Sequence, residues 1–240
     1  MIMQSLIHLI YPPQCLACDA LTESDFALCG ACWRDTVFIG GLVCDACGTP
    51  LLGEDTGEKE LCDDCISIAR PWDRGRATLM YRDTGRRLVL SLKHGDRTDL
   101  ARPAGRWMAQ TARDLIREDT VIVPVPLHWS RLLRRKYNQA AELAFALGKV
   151  AGCAVLPDAL IRHTRTRPLE GHSRDQRFAA LQGTISPHRK RGAALQGKHV
   201  LIVDDVMTSG ATFAATTEGC RSAGATQIDV LALARVAKDA

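Results

Sequence analysis

A chain of 240 residues, 46% apolar and 24% charged, has room for one good core and a small extra module, and its composition excludes the disordered and fibrous classes. No apolar stretch approaches the ~20 residues of a membrane-crossing helix. The net charge of +4 conceals a split: residues 1–70 carry three basic and eleven acidic residues, net −8, and residues 71–240 carry 28 basic and 16 acidic, net +12. Two segments of opposite sign predict two modules, 1–70 and 71–240, the basic one meeting a polyanion or a phosphorylated ligand.

Met1–Tyr11 is apolar but short. It lacks a basic n-region and a small-residue cleavage site, so it reads as a helix or strand packed on the body of a cytoplasmic protein. Four Cys-x-x-Cys pairs follow: Cys15/Cys18, Cys29/Cys32, Cys44/Cys47 and Cys62/Cys65. Without a secretory signal, metal knuckles are the better reading than disulfides. Two knuckles place four thiolates around Zn(II), and the gaps of ten and fourteen residues within the two halves suit hairpins. Two sequential structural zinc sites are predicted; an interleaved pairing of first knuckle with third satisfies the same spacing. Cys153 and Cys220 read as ordinary buried thiols.

Ile66–Asp73 reads as a linker, and Arg76–Arg82 as a strand. Helical periodicity covers Thr84–His94 and Leu100–Arg117, and Val121–Val125 is the next strand. Ser130–Ala151 carries one long helical pattern stopped by Gly152. Near its start lie Arg131, Arg134, Arg135 and Lys136, and cations at a helix N-terminus oppose the helix dipole, which points to an anion there. Ala154–Ile161 holds a short strand, and Arg162–Phe178 is basic and without periodicity.

The run His199–Thr212 says most about function. Val200–Val203 has the continuous apolar pattern of a strand buried on both faces. Asp204 and Asp205 stand at its C-terminal end, where open α/β sheets bind ligands. Val206 and Met207 lead into Thr208, Ser209, Gly210, Ala211 and Thr212, a loop of small residues whose N–H groups, with the following helix, suit an anion. Carboxylates for sugar hydroxyls beside a phosphate loop describe a ribose 5-phosphate site. A helix to about Ala223 and a strand over Ile228–Arg235 complete a β–α–β–α–β alternation, hence a parallel sheet with helices on both faces.

Val203–Thr212 resembles the phosphoribosyl-pyrophosphate (PRPP) motif of type I phosphoribosyltransferases, with Ser209 where a second threonine is usual. With the cysteine pairs, and with Tyr11–Cys15, Tyr81 to Lys93-His94-Gly95, Val123–His128 and Arg135–Gln139, the chain resembles the ComF (competence protein F, ComFC-like) family along nearly its whole length. Two departures stand out: Lys136 replaces a usual glycine, and Thr166–Gly171 lacks a usual glutamine. The resemblance implies an α/β phosphoribosyltransferase-like sheet preceded by a double zinc ribbon. It implies that Asp204 and Asp205 are catalytic and hold the ribose hydroxyls, that Val206–Thr212 complete the PRPP site, and that Mg(II) rides on the substrate. Pyrophosphate falls to the loop holding His128 and Arg131, with Arg134, Arg135 and Lys136 following and Lys93 a further cation; Arg162–Arg177 matches a closing hood. The function implied is PRPP-dependent transfer in natural competence, that is, DNA uptake and transformation. A non-catalytic reading keeps the pocket while the basic face binds single-stranded DNA, and a third makes the ribbons a scaffold for a helicase-like partner.

Overall fold

The computed structural model describes residues 11–94, 97–166, 171 and 173–237. The expectation for Met1–Tyr11 therefore lies, but for Tyr11, outside the described residues, as do residues 167–170 and 172 of the expected hood.

The cysteine region forms short helices after its knuckles, α1 (Gly30–Asp35) and α2 (Asp63–Ser67). The strands and helices that follow are β1 (Arg74–Met80), α3 (Asp83–His94), α4 (Ala101–Thr111) and β2 (Thr120–Pro124). Next come α5 (Trp129–Arg135), α6 (Gln139–Ala151), β3 (Ala154–Val155), β4 (Leu160–Arg162), α7 (Arg174–Leu181) and β5 (Ile185–Pro187). The chain closes with β6 (His199–Met207), α8 (Ala211–Ser222) and β7 (Gln227–Arg235). Five strands make a parallel sheet in the order β1-β7-β6-β2-β3, and β4 with β5 forms a separate antiparallel hairpin.

The apolar runs are explained by what covers each face. Alternate residues of β6 point to opposite sides. Val200 and Ile202 join Phe213 and Ala214 of α8, whereas Leu201 and Val203 join Leu92 of α3, Met108 of α4 and Leu143 of α6. Both faces are therefore dry, as a parallel sheet under helices requires. Connections from the central pair diverge: β2 leads through α6 to β3 on one side, and β6 leads through α8 to β7 on the other. Where such connections part, a crevice opens at the C-terminal ends of the strands.

The two cysteine ribbons are divided between these faces. Leu16 of the first packs in the α3–α4–α6 core, and Cys44, Cys47 and Cys65 of the second pack in the α8 core. The segment between them runs antiparallel along the outer edge of β1, with Ile39 N–H donating to Thr78 O at 2.9 Å and Met80 N–H to Val37 O at 2.9 Å. This covers an edge that would otherwise be open to other strands. Gly48 allows the close approach: it has φ +68, and a Cβ there would sit 2.5 Å from the Ala77 nitrogen. The segment Ile66–Asp73 is correspondingly no loose linker, since Trp72 is buried and its Nε1 donates to Ala46 O at 2.6 Å.

Three elements differ from their sequence patterns. The long helix expected over Ser130–Ala151 is broken into α5 and α6: Lys136 is left-handed (φ 66), and Asn138 starts a new helix by accepting from Ala140 N–H at 3.1 Å. Arg134 and Arg135 thus occupy a last turn, not a first, so the argument from cations at a helix N-terminus does not hold for them. In the basic stretch without periodicity, α7 forms because Ser173 and Gln176 make a reciprocal capping box.

Candidate functional site

Beyond Pro124, β6 continues beside β7, and Val125 N–H still reaches Val203 O at 2.9 Å. Asp204 and Asp205 therefore come at the mouth of the crevice, inside β6 and not after its end. They share a cavity of about 160 Å³ with Lys93, Arg131, Arg135, Arg162, Gln139 and Thr212. Lys93, at the end of α3, places Nζ 3.1 Å from Asp205 Oδ1. Asp204 Oδ1 accepts the Asp205 N–H at 2.9 Å. Burial, then the charge of Asp205, pushes the Asp204 carboxyl up to about 7, against the pull of Lys93 and Arg162.

The cations crowd one another. Arg131 is held below its ordinary value by desolvation and by Arg135, Arg134 and Arg165, and Arg162 by desolvation and Arg131. Arg131 is anchored by Nη2 on Thr166 O at 2.7 Å, and Arg162 by Nη2 on Thr166 Oγ1 at 2.6 Å. Arg135 Nη1 donates to Gln139 Oε1 at 3.2 Å, while Arg135 Nε and Gln139 Nε2 are buried without a partner among the described residues. Repelling cations with spare donors at a crevice suit an anion, whose charge relieves the repulsion and whose oxygens satisfy the donors.

The loop after β6 turns at Gly210, left-handed at φ 85, directly into α8. Val206 stays in the strand, and Met207 is its last residue. Ser209 Oγ accepts from Ala211 N–H at 3.4 Å. No described atom accepts the N–H of Ser209 or Gly210. Carboxylates, loop and helix start are thus consecutive along one chain segment, of which Asp204, Asp205 and Thr212 line the cavity and residues 206–211 do not.

Of the expected anion residues, Arg131 and Arg135 line the cavity, and Arg134 and Lys136 are exposed and do not. His128 caps α5, its Nδ1 accepting from Ser130 N–H at 3.3 Å, and is buried. Arg162 was legible as a hood residue but is the end of strand β4, bridged to His128. Sequence reasoning left out Asn138 and Gln139, and it also left out Arg70, Trp72 and Arg235, which back the loop. The one legible hint was the apolar character of Ile66–Asp73, with a tryptophan and an arginine, in a segment read as a linker.

The eight paired cysteines gather sequentially: Cys15, Cys18, Cys29 and Cys32 in one cluster, Cys44, Cys47, Cys62 and Cys65 in another, with all sulfurs of a cluster within 4.8 Å of one another. The Cys18–Cys29 and Cys47–Cys62 sulfurs are each 3.7 Å apart. A tetrahedron with Zn–S bonds of about 2.3 Å has edges of about 3.8 Å, so donor set and spacing both fit structural zinc. Interleaving is ruled out by the same grouping. Cys220 is buried and Cys153 partly so, both away from these clusters.

Comparisons with known proteins match two parts of the chain to two families. Residues 6–66 match the double zinc ribbon domain family, and residues 98–240 match the phosphoribosyl transferase domain family. DNA utilization protein YhgH of Salmonella typhi is 29% identical over 95% of this chain and 99% of its own. Competence protein F of Haemophilus influenzae is 26% identical over 92% of this chain and 96% of its own. Among solved structures, glutamine PRPP amidotransferase from B. subtilis aligns with a TM-score of 0.40 at 20% identity, covering 60% of this chain and 30% of that one.

Proposed function

Because this chain belongs to the phosphoribosyl transferase domain family, we propose that the crevice at the end of β6 binds PRPP. The observation that carries the proposal is that Asp204, Asp205 and Thr212, which bracket the loop Thr208–Ala211 on one continuous segment, line a cavity rich in cations. Asp204 and Asp205 accept the ribose 2- and 3-hydroxyls. The free N–H groups of Ser209 and Gly210, with the hydroxyls of Thr208 and Thr212, hold the 5-phosphate at the positive end of the α8 dipole. Arg131 and Arg135 take the pyrophosphate, and Lys93 stands between pyrophosphate and Asp205. Mg(II), when bound, neutralises pyrophosphate oxygens and is held by substrate and water more than by protein.

In the transfer reaction, the bond from ribose C1 to pyrophosphate breaks with its electron pair leaving on pyrophosphate, and an acceptor nucleophile bonds to C1. Positive charge on the sugar and negative charge on the leaving group develop together. The two carboxylates lie on the side of the first and the arginines on the side of the second, which is the arrangement that stabilises such a separation. From the names of its relatives we infer that this chemistry serves the handling of DNA in competence.

Calorimetry with PRPP and Mg(II) tests the reading. The expected result is one site per chain in the wild-type protein. Replacing both carboxylates (Asp204→Asn with Asp205→Asn) should weaken it by at least about a hundredfold, the scale of two lost charge-assisted contacts. Unchanged affinity in that double variant would put the ligand elsewhere.

A further inference from the structure

The phosphate loop is tied from behind to one of the two metal ribbons. Arg70 lies between them: its Nε donates to Cys65 Sγ at 3.2 Å, and its Nη1 donates to Ser209 O at 2.8 Å. Arg235, at the end of β7, makes a second bridge. Its Nη1 donates to Met207 O at 3.1 Å and to Thr208 O at 2.7 Å, and its Nη2 points at Cys47 Sγ at 3.8 Å. Trp72 fills the space between, with Arg70 5.6 Å over its ring, its own ring edge-on to Phe213 of α8 at 6.1 Å, and its Cη2 2.8 Å from where a Cβ at Gly210 would stand. From the hood side, Arg174 pairs with Asp64 of the same ribbon at 3.3 Å.

We propose that the second four-cysteine site is a strut for the phosphate loop, with Arg70 and Arg235 as positioning residues that convert its thiolate charge into a fixed loop conformation. The physical reason is the sign and shape of the parts. A four-thiolate zinc site carries a net negative charge. Each guanidinium is a planar fork of donors, one edge on a thiolate sulfur and the other on loop carbonyls. With the carbonyls of Met207, Thr208 and Ser209 held backwards, the N–H groups of Ser209 and Gly210 are turned away from the ribbon. Arg235 is only 4% exposed, so its charge depends on its partners. Loss of the metal frees the four sulfurs from their fixed spacing, so the guanidinium edges lose their anchor and the loop carbonyls lose theirs. The first ribbon is placed differently. It packs on the opposite face, in the core with Leu16, and reaches the sheet domain through Asp35, whose Oδ2 accepts from Thr84 Oγ1 at 2.6 Å. The two ribbons are thus unequal: the second governs the ligand loop, and the first braces α3.

This inference rests on the reading of Thr208–Thr212 as a phosphate loop only for its effect on affinity; the strut itself is tested without ligand. Amide hydrogen exchange of residues 207–212 in the zinc-loaded full chain is the measurement, made on wild type, Arg70→Met and Arg70→Lys, with zinc counted in each. Arg70→Met should speed exchange in this segment by roughly tenfold or more at two zinc ions per chain, the scale of one lost charge-assisted hydrogen bond. Arg70→Lys, which keeps the charge and loses the fork, should fall between. Cys62→Ser should reproduce the effect, whereas Cys18→Ser, in the first ribbon, should leave 207–212 as in wild type. Titration with ribose 5-phosphate then reads the consequence: affinity drops by a similar factor in Arg70→Met. Wild-type protein that fails to bind ribose 5-phosphate while the exchange pattern holds would sink the phosphate reading and leave the strut standing. Exchange in Arg70→Met equal to that of wild type would overturn the strut.

Discussion

Asp204 combines an expected identity with an unexpected state. Its place after an apolar run marks it as a sheet-end carboxylate, but burial and the charge of Asp205 push it up to about 7, a value visible only once its surroundings are known. Protonation linkage gives the consequence. An unfolded Asp titrates near 3.9. Between about pH 4 and pH 7 the folded chain therefore holds a proton that the unfolded chain has lost, and stability falls as pH rises through that window. Asp204→Asn removes the penalty. Its melting temperature should exceed that of wild type at pH 8 and match it at pH 4, by calorimetric scans in the absence of ligand. A wild-type advantage at pH 8 would show that the carboxylate is not strained. On the proposed reading the same substitution should weaken PRPP binding, so stability and function would oppose each other at this residue.

Helical elements show how a local pattern is overridden. Apolar spacing runs unbroken from Ser130 to Ala151, yet the chain turns at Lys136 and restarts at Asn138. Asn138 is the reason: its Oδ1 caps Ala140, and its Nδ2 donates to Val125 O at 3.0 Å, fixing α6 to the end of β2. The turn demands positive φ, and a lysine supplies it where a glycine would do so without a Cβ. A side chain in the left-handed region costs about 1 kcal/mol against glycine. Lys136→Gly should therefore raise stability by roughly 0.5–1 kcal/mol in urea unfolding, the gain being reduced by the greater freedom of glycine in the unfolded chain. The Lys136 side chain is exposed and outside the cavity, so ligand affinity should hold.

At the scale of the whole molecule, the ribbons and the sheet share their cores. Cys44, Cys47 and Cys65 are counted among the residues packed with α8, and Arg74 and Arg76 both pair with Asp45 of the second ribbon and Asp114 of the sheet domain. Asp45 is buried, Asp114 is half-exposed and the two arginines lie between them, so the network joins the ribbon to the sheet domain beside the shared core. Metal analysis should find two zinc ions per chain. A strong chelator should then lower the melting temperature of the entire chain in one transition, because the sheet loses its edge cover and part of its core. Independent melting of an unperturbed sheet domain after zinc removal would contradict the shared core.

The sequence by itself determined the parts whose signal is local. Four cysteine pairs at hairpin spacing and a β/α alternation were enough to specify zinc ribbons and a parallel sheet, and one strand–carboxylate–hydroxyl–glycine order pointed to the crevice proposed for a ribose phosphate, because each is written in neighbouring residues. Which pairs join was open, and only folding grouped the first with the second. Tertiary structure alone decided the rest: that Lys93 pairs with Asp205 and Arg162 lines the same cavity, that Arg134 and Lys136 do not line it, and that Arg70 meets Ser209 across 139 positions of sequence. Such contacts leave no periodicity or spacing to read. They follow from where the chain crosses the sheet, which places the second ribbon beneath α8 and the first on the opposite face.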